Sequence, residues 1–247
     1  MELIAFIHGW AANKSVFEPT VEAIANRAQC LLWELPGHGA APCEGGFDLT
    51  DFVDRRMAQI EPGRKAHIVG WSMGGLAALI AGTRHPDKVA SGVFVSSFAR
   101  YAQGPDFPEG KPADGLMAFA RKFAENYEKS MDGFLSLQAG SSEKGKALAR
   151  RIFPKLAPGG APKTLIDAQR YAAQSDLRPL ARAFDRPALV IYGQRDRVVP
   201  PAMSLALARD LPRAQTVAFE KSGHAPFLSD PDEFVEVLLD FVRRAGA

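Results

Sequence analysis

Three side chains in this sequence have the types and the order of an acyl-transfer centre. Ser72 lies in Gly70-Trp71-Ser72-Met73-Gly74, between the apolar run Ala66-His67-Ile68-Val69 and the small-residue segment Gly75-Leu76-Ala77-Ala78-Leu79-Ile80-Ala81-Gly82. That order predicts strand, sharp turn and helix. The serine hydroxyl would be held out on a strained elbow, with glycines on either side where neighbouring backbone must pass without Cβ atoms. A serine hydroxyl is a weak nucleophile near neutral pH, so the chemistry also requires a histidine base and a carboxylate to orient it. Asp196 follows the apolar run Ala188-Leu189-Val190-Ile191-Tyr192 and Gly193, and His224 follows the run Thr216-Val217-Ala218-Phe219 within Ser222-Gly223-His224-Ala225-Pro226-Phe227. Nucleophile, acid and base thus come in chain order, each on the loop leaving a separate strand.

The developing oxyanion needs donors as well. The backbone N–H of Met73, directly after the nucleophile, is one candidate. The backbone N–H of Trp10, in the loop His8-Gly9-Trp10 after the run Leu3-Ile4-Ala5-Phe6-Ile7, is the other. The remaining histidines read differently. His38 sits in a Gly-rich turn and reads as a loop residue, His67 as a packed or half-exposed strand residue, and His85 as a cation at a helix C-terminus. His8 reads as shaping the oxyanion loop. Asp185, Asp210 and Asp230 also flank late elements, but none follows a glycine at a strand end.

The elements that must position these groups alternate. Strand-like runs at 3–7, 29–34, 66–70, 89–96, 188–192 and 215–219 are separated by helix-like segments near 15–27, 50–60, 73–85, 201–211 and 231–244. This predicts an α/β fold with a mostly parallel, doubly wound sheet covered by helices on both faces. Between Ser97 and Asp185 the strand signal stops. Leu116, Phe119, Ala120, Phe123 and Tyr127 recur at helical spacing, and Ala147, Leu148, Ile152 and Phe153 do so again. The expected division is a core of residues 1–97 and 184–247 with a helical lid, residues 98–183, inserted over the serine's edge of the sheet.

Composition bounds the reading. At 247 residues and 47% hydrophobic, the chain can bury one large core. No apolar run approaches the ~20 residues needed to span a bilayer, and the residues after Met1 enter a strand with no basic leader, so the expectation is an unexported, cytoplasmic chain without a membrane segment. Two cysteines, Cys30 and Cys43, suggest neither a disulfide framework nor a metal set, and no cofactor is called for. A net charge of +2 does not imply a nucleic-acid partner. The charge is uneven, however: Lys111 to Arg182 carries 13 Lys+Arg against 7 Asp+Glu, a local +6.

Over essentially its whole length the sequence resembles the α/β-hydrolase superfamily, and within it the pimeloyl-acyl-carrier-protein methyl ester esterases of biotin synthesis. The resemblance rests on His8-Gly9-Trp10, Gly70-Trp71-Ser72-Met73-Gly74-Gly75, Phe134-Leu135-Ser136-Leu137-Gln138 and Gly223-His224-Ala225-Pro226-Phe227-Leu228-Ser229. It implies Ser72 as nucleophile with Asp196 and His224, Trp10 and Met73 around the oxyanion, and Phe134, Leu135, Ser136, Leu137 and Gln138 along the acyl chain. It also implies an acidic acyl carrier protein as the substrate's bearer, which gives the basic lid a purpose, with Lys129, Lys146 and Arg150 as its contacts and Lys144, Arg151 and Lys155 close by. Relatives usually begin with two further strands, so the sheet is expected to start short, with the strand at 29–34 at its edge. The protein is expected to act as a monomer. The alternative is a less specific carboxylesterase, lactonase or carbon–carbon bond hydrolase of the same fold acting on small substrates.

Overall fold

The computed structural model describes residues 1–126, 130, 143, 147 and 162–246. Six apolar runs form six strands: β1 (Glu2–Ile7), β2 (Ala28–Trp33), β3 (Ala66–Trp71), β4 (Val89–Val95), β5 (Ala188–Gly193) and β6 (Ala214–Phe219). They make one sheet in the order β2-β1-β3-β4-β5-β6, and every neighbouring pair is parallel. β3 and β5 are buried at every residue. That is why their sequences are continuous apolar runs rather than alternating ones: both faces are covered.

The chain leaves β1 outward to β2, then returns to the other side of β1 as β3. The connections after β1 and β3 therefore diverge at the carboxyl edge, leaving a crevice where ligands of open α/β sheets bind. The loop bearing His8 to Trp10 and the turn bearing Ser72 flank it. As expected, β2 is an edge strand, with Cys30, Leu31 and Leu32 only half-buried.

The helices are α1 (Glu18–Ile24), which a short 3₁₀ turn at Lys14–Phe17 precedes, then α2 (Leu49–Ala58), α3 (Gly74–Arg84), α4 (Ala113–Glu125), α5 (Pro162–Gln174), α6 (Arg178–Ala183), α7 (Pro201–Asp210), α8 (Pro226–Ser229) and α9 (Pro231–Gly246). α3 packs on β1, β3 and β4 with α2 and α6 beside it, and α9 packs on β1 and β4 with α1. In α9 the buried positions are Phe234, Val235, Leu238, Phe241 and Val242, one stripe along the helix. α4 and α5 pack on each other and bury Leu116, Ala120 and Phe123 from one, Leu165, Ala168 and Ala172 from the other.

Candidate active site

Ser72 stands between β3 and α3 with φ at +54°. Three non-glycine residues among those described have positive φ, namely Ala11, Ser72 and Ser96, and each lies just past the carboxyl end of a strand. Strain is stored where the site is built. The elbow is locked from several directions. The Ser72 N–H donates to Val95 O at 2.9 Å, and Ser97 Oγ donates to Ser72 O at 2.8 Å. The flanking glycines are steric necessities: a Cβ on Gly70 would strike the Gly74 carbonyl and lie 2.6 Å from Gly75 Cα, and one on Gly74 would strike the Ile7 carbonyl. The elbow thus crosses over the end of β1 at backbone contact.

Asp196 and His224 meet across two loops. His224 Nδ1 lies 2.7 Å from Asp196 Oδ2, with both side chains buried. The other carboxylate oxygen, Oδ1, accepts from the N–H groups of Val198 and Val199 at 2.8 and 2.9 Å. An ionised carboxylate only accepts, so His224 Nδ1 carries the proton and Nε2 is left as the basic atom. The Trp71 indole Nε1 donates to His224 O at 2.8 Å, and its ring lies 5.4 Å from the imidazole, centroid to centroid. Phe227, three residues on, is fully buried against Phe17, Trp71 and Phe234 and anchors the loop from below.

The loop after β1 approaches from the other side. A Cβ built on Gly9 would lie 3.1 Å from Ser72 Cβ, so the loop's backbone runs directly beside Ser72. Trp10 and Met73 line the same cavity as Ser72 and His224, and Met73 caps the N-terminus of α3, where backbone N–H groups and the helix dipole favour negative charge. His8 is buried: its Nδ1 donates to Gly9 O and its Nε2 accepts from the Leu35 N–H at 3.1 Å. Burial, then the neighbouring His38, push the His8 pKa down to about 3, and burial pushes that of His38 down to about 4. Both stay neutral and neither lines the cavity, which leaves them structural. His67 is packed inside β3 against Ser91 and Glu2, and His85 ends α3 with Nε2 2.7 Å from Asp54.

The cavity holds about 360 Å³ and is walled below by the strand-end loops and above by α4 and α5. Its upper wall includes Leu116, Phe119 and Gln169. Trp10 joins the walls: its indole packs at a tilt against Phe119 and Phe123, and its Nε1 donates to Leu165 O at 2.8 Å. Lys111 and Tyr101 tie the segment before α4 to the loop bearing Asp196, Lys111 Nζ donating to Arg197 O at 2.7 Å and Tyr101 OH to Val198 O at 3.3 Å. Burial, then the Asp196 charge, hold the Tyr101 phenol up at about 12, and burial lowers Lys111. The expected acyl contacts Phe134, Leu135, Ser136, Leu137 and Gln138, and the expected carrier contacts Lys129, Lys146 and Arg150, lie outside the described residues.

This geometry coincides with likeness over the whole chain. Residues 2–231 match the alpha/beta hydrolase fold family. The chain belongs to that family. A protein of Neisseria meningitidis serogroup C named pimeloyl-[acyl-carrier protein] methyl ester esterase is 38% identical over 239 residues, 97% of this chain and 93% of that protein. One of the same name from Chromobacterium violaceum is 32% identical, over 96% of this chain and 92% of its own. The hydrolase is thus also a member of the narrower group that carries this name. Among solved structures, an esterase from Exiguobacterium antarcticum superposes with a TM-score of 0.88 at 20% identity, covering 98% of this chain and 92% of its own, which speaks for the fold.

Sequence reasoning passed over several groups that the structure brings to the site. Trp71 occupies a variable position of the serine motif, and its indole bond to His224 had no signal beyond being aromatic. Ser97 and Lys111 act through backbone carbonyls, which no side-chain pattern announces. Gln169 interrupts the apolar stripe of α5, a cue that could have been read as a break in periodicity.

Proposed function

We propose that this protein hydrolyses the methyl ester of a pimeloyl chain carried on acyl carrier protein, through an acyl-Ser72 intermediate, in the cytoplasm and as a monomer. His224 Nε2 takes the Ser72 proton as Oγ attacks the ester carbonyl, returns it to the departing methoxide, and then activates the water that releases the free acid. Asp196 fixes the imidazole's tautomer and stabilises the imidazolium. The backbone N–H groups of Met73 and Trp10 receive the oxyanion; such a donor contributes about 3 kcal/mol in the transition state. The observation that carries the chemistry is the 2.7 Å His224–Asp196 contact in the cavity that Ser72 lines. The names of the curated relatives supply the substrate.

Residues 98–183 act in this reading as a lid between the core segments 1–97 and 184–247, and α4 and α5 forming the cavity's upper wall supports that division. The +6 carried between Lys111 and Arg182 would draw the acidic carrier, with Lys129, Lys146 and Arg150 as contacts and residues 134–138 along the acyl chain. Among the described residues no helix is long and apolar enough to cross a membrane. The test is kcat/KM on pimeloyl-acyl-carrier-protein methyl ester against free dimethyl pimelate at low and moderate salt. The expected result is a strong preference for the carrier-bound ester that shrinks as salt rises; equal, salt-insensitive rates would reduce the protein to a general carboxylesterase.

A further inference from the structure

We infer that Gln169 is a specificity-determining residue, its side-chain amide N–H donating to a carbonyl oxygen on the acyl chain distal to the scissile ester. The inference rests on the esterase reading above and deepens it. Gln169 is 7% exposed and sits on α5, on the face that also buries Leu165, Ala168 and Ala172. Its neighbours on that face are apolar, yet it lines the cavity opposite Ser72 and His224. Its amide makes no hydrogen bond to any described residue and is not among the fully enclosed unpaired side-chain atoms, so it opens into the cavity with its donors and acceptor free for a ligand. The helix that carries it is not free to turn the group away, since Trp10 Nε1 holds Leu165 O one turn earlier and Thr164 packs against the loop at Gly37.

The surrounding wall narrows the ligand. Trp10, Phe98, Leu116 and Phe119 suit methylene groups, so the polar group that Gln169 meets belongs to a mostly aliphatic chain. A chain with an ester at one end and a second carbonyl, ester or thioester, further along satisfies both requirements. A simple fatty ester would fill the cavity and leave the amide unpaired, and a site with a buried polar group rejects the analogue that cannot pair with it.

The test compares dimethyl pimelate with methyl octanoate, of similar length but lacking the second carbonyl, in wild type, Gln169→Leu and Gln169→Met. The expected result is that wild type prefers the diester and that both variants cut this preference by about tenfold, the factor that a hydrogen bond of roughly 1.4 kcal/mol supplies. Melting temperature should hold or rise in both variants, because no bond within the protein is lost. A wild type with no preference, an unchanged ratio in both variants, or a lost preference accompanied by a fall in melting temperature would overturn the inference. A wild type that discriminates between these free esters but ignores the carrier-bound methyl ester would instead sink the carrier reading and leave Gln169 its role.

Discussion

The two walls of the cavity hold their residues by different means. The lower wall, at the carboxyl ends of β1, β3, β4, β5 and β6, is fixed by backbone: positive φ at Ala11, Ser72 and Ser96, glycines crossing at contact, and carbonyls pinned by Ser97, Lys111 and Trp71. The upper wall, α4 and α5, is held by apolar packing and by the indole bond of Trp10 to Leu165 O. Groups that must be placed to a fraction of an ångström for bond-making sit where the backbone is over-determined. The groups proposed to choose among substrates sit on amphipathic helices, held by side-chain packing rather than by backbone.

If that division holds, substitutions on the lower wall should act on kcat and those on the upper wall on KM. The largest effect is expected for Ser72→Ala, which removes the attacking atom and should lower kcat by about 10⁴-fold or more with little change in melting temperature. Asp196→Asn comes next. It keeps the shape but can donate to Nδ1, favouring the wrong tautomer, and should lower kcat by about 10³–10⁴-fold in steady-state assays. Trp71→Phe keeps an aromatic ring and loses only the bond to His224 O; a roughly fivefold to tenfold fall in kcat with KM nearly constant is expected, as for one neutral hydrogen bond. On the upper wall, Phe119→Ala should raise KM severalfold while kcat stays within about twofold, because it removes binding area that ground and transition states share. A Phe119→Ala enzyme that loses kcat instead would break the comparison.

The smallest effect concerns pH. His8 and His38 are neutral in the folded chain, with pKa values near 3 and 4 set mainly by burial, against about 6.5 in the unfolded chain. Below about pH 6.5 the unfolded state binds protons that the folded state refuses, so the stability these groups provide is present above that pH and drains as pH falls toward 4. Melting temperature should therefore decline across that window, and the decline should be shallower in His38→Gln. An equal slope in the variant would show that His38 does not titrate differently on folding.

The lower wall was legible because its chemistry is written in short range. Gly70 to Gly74, the glycine before Asp196 and the loop at His224 each follow a strand, and strand runs of Val, Ile, Leu and Phe announce a parallel sheet whose carboxyl edge is the site. All six strands fell within a residue or so of their expected places. Helix ends were less sharp: the segment near 15–27 divides into a 3₁₀ turn and α1, with Pro19 restarting the chain as a helix. The upper wall was legible only as amphipathic spacing. That Leu116 and Phe123 would be buried follows from period, but that Gln169 would enter the cavity depends on how α5 docks on Trp10, a long-range contact that local spacing does not encode.

The central claim, that the strand-end wall carries the chemistry through Ser72, is tested most directly by reaction with a serine-directed phosphonate, intact-mass measurement and peptide mapping. The account predicts a single adduct on Ser72, formed in step with loss of esterase activity and suppressed in His224→Ala. Full activity without an adduct, or an adduct on another residue that tracks the loss of activity, would contradict it.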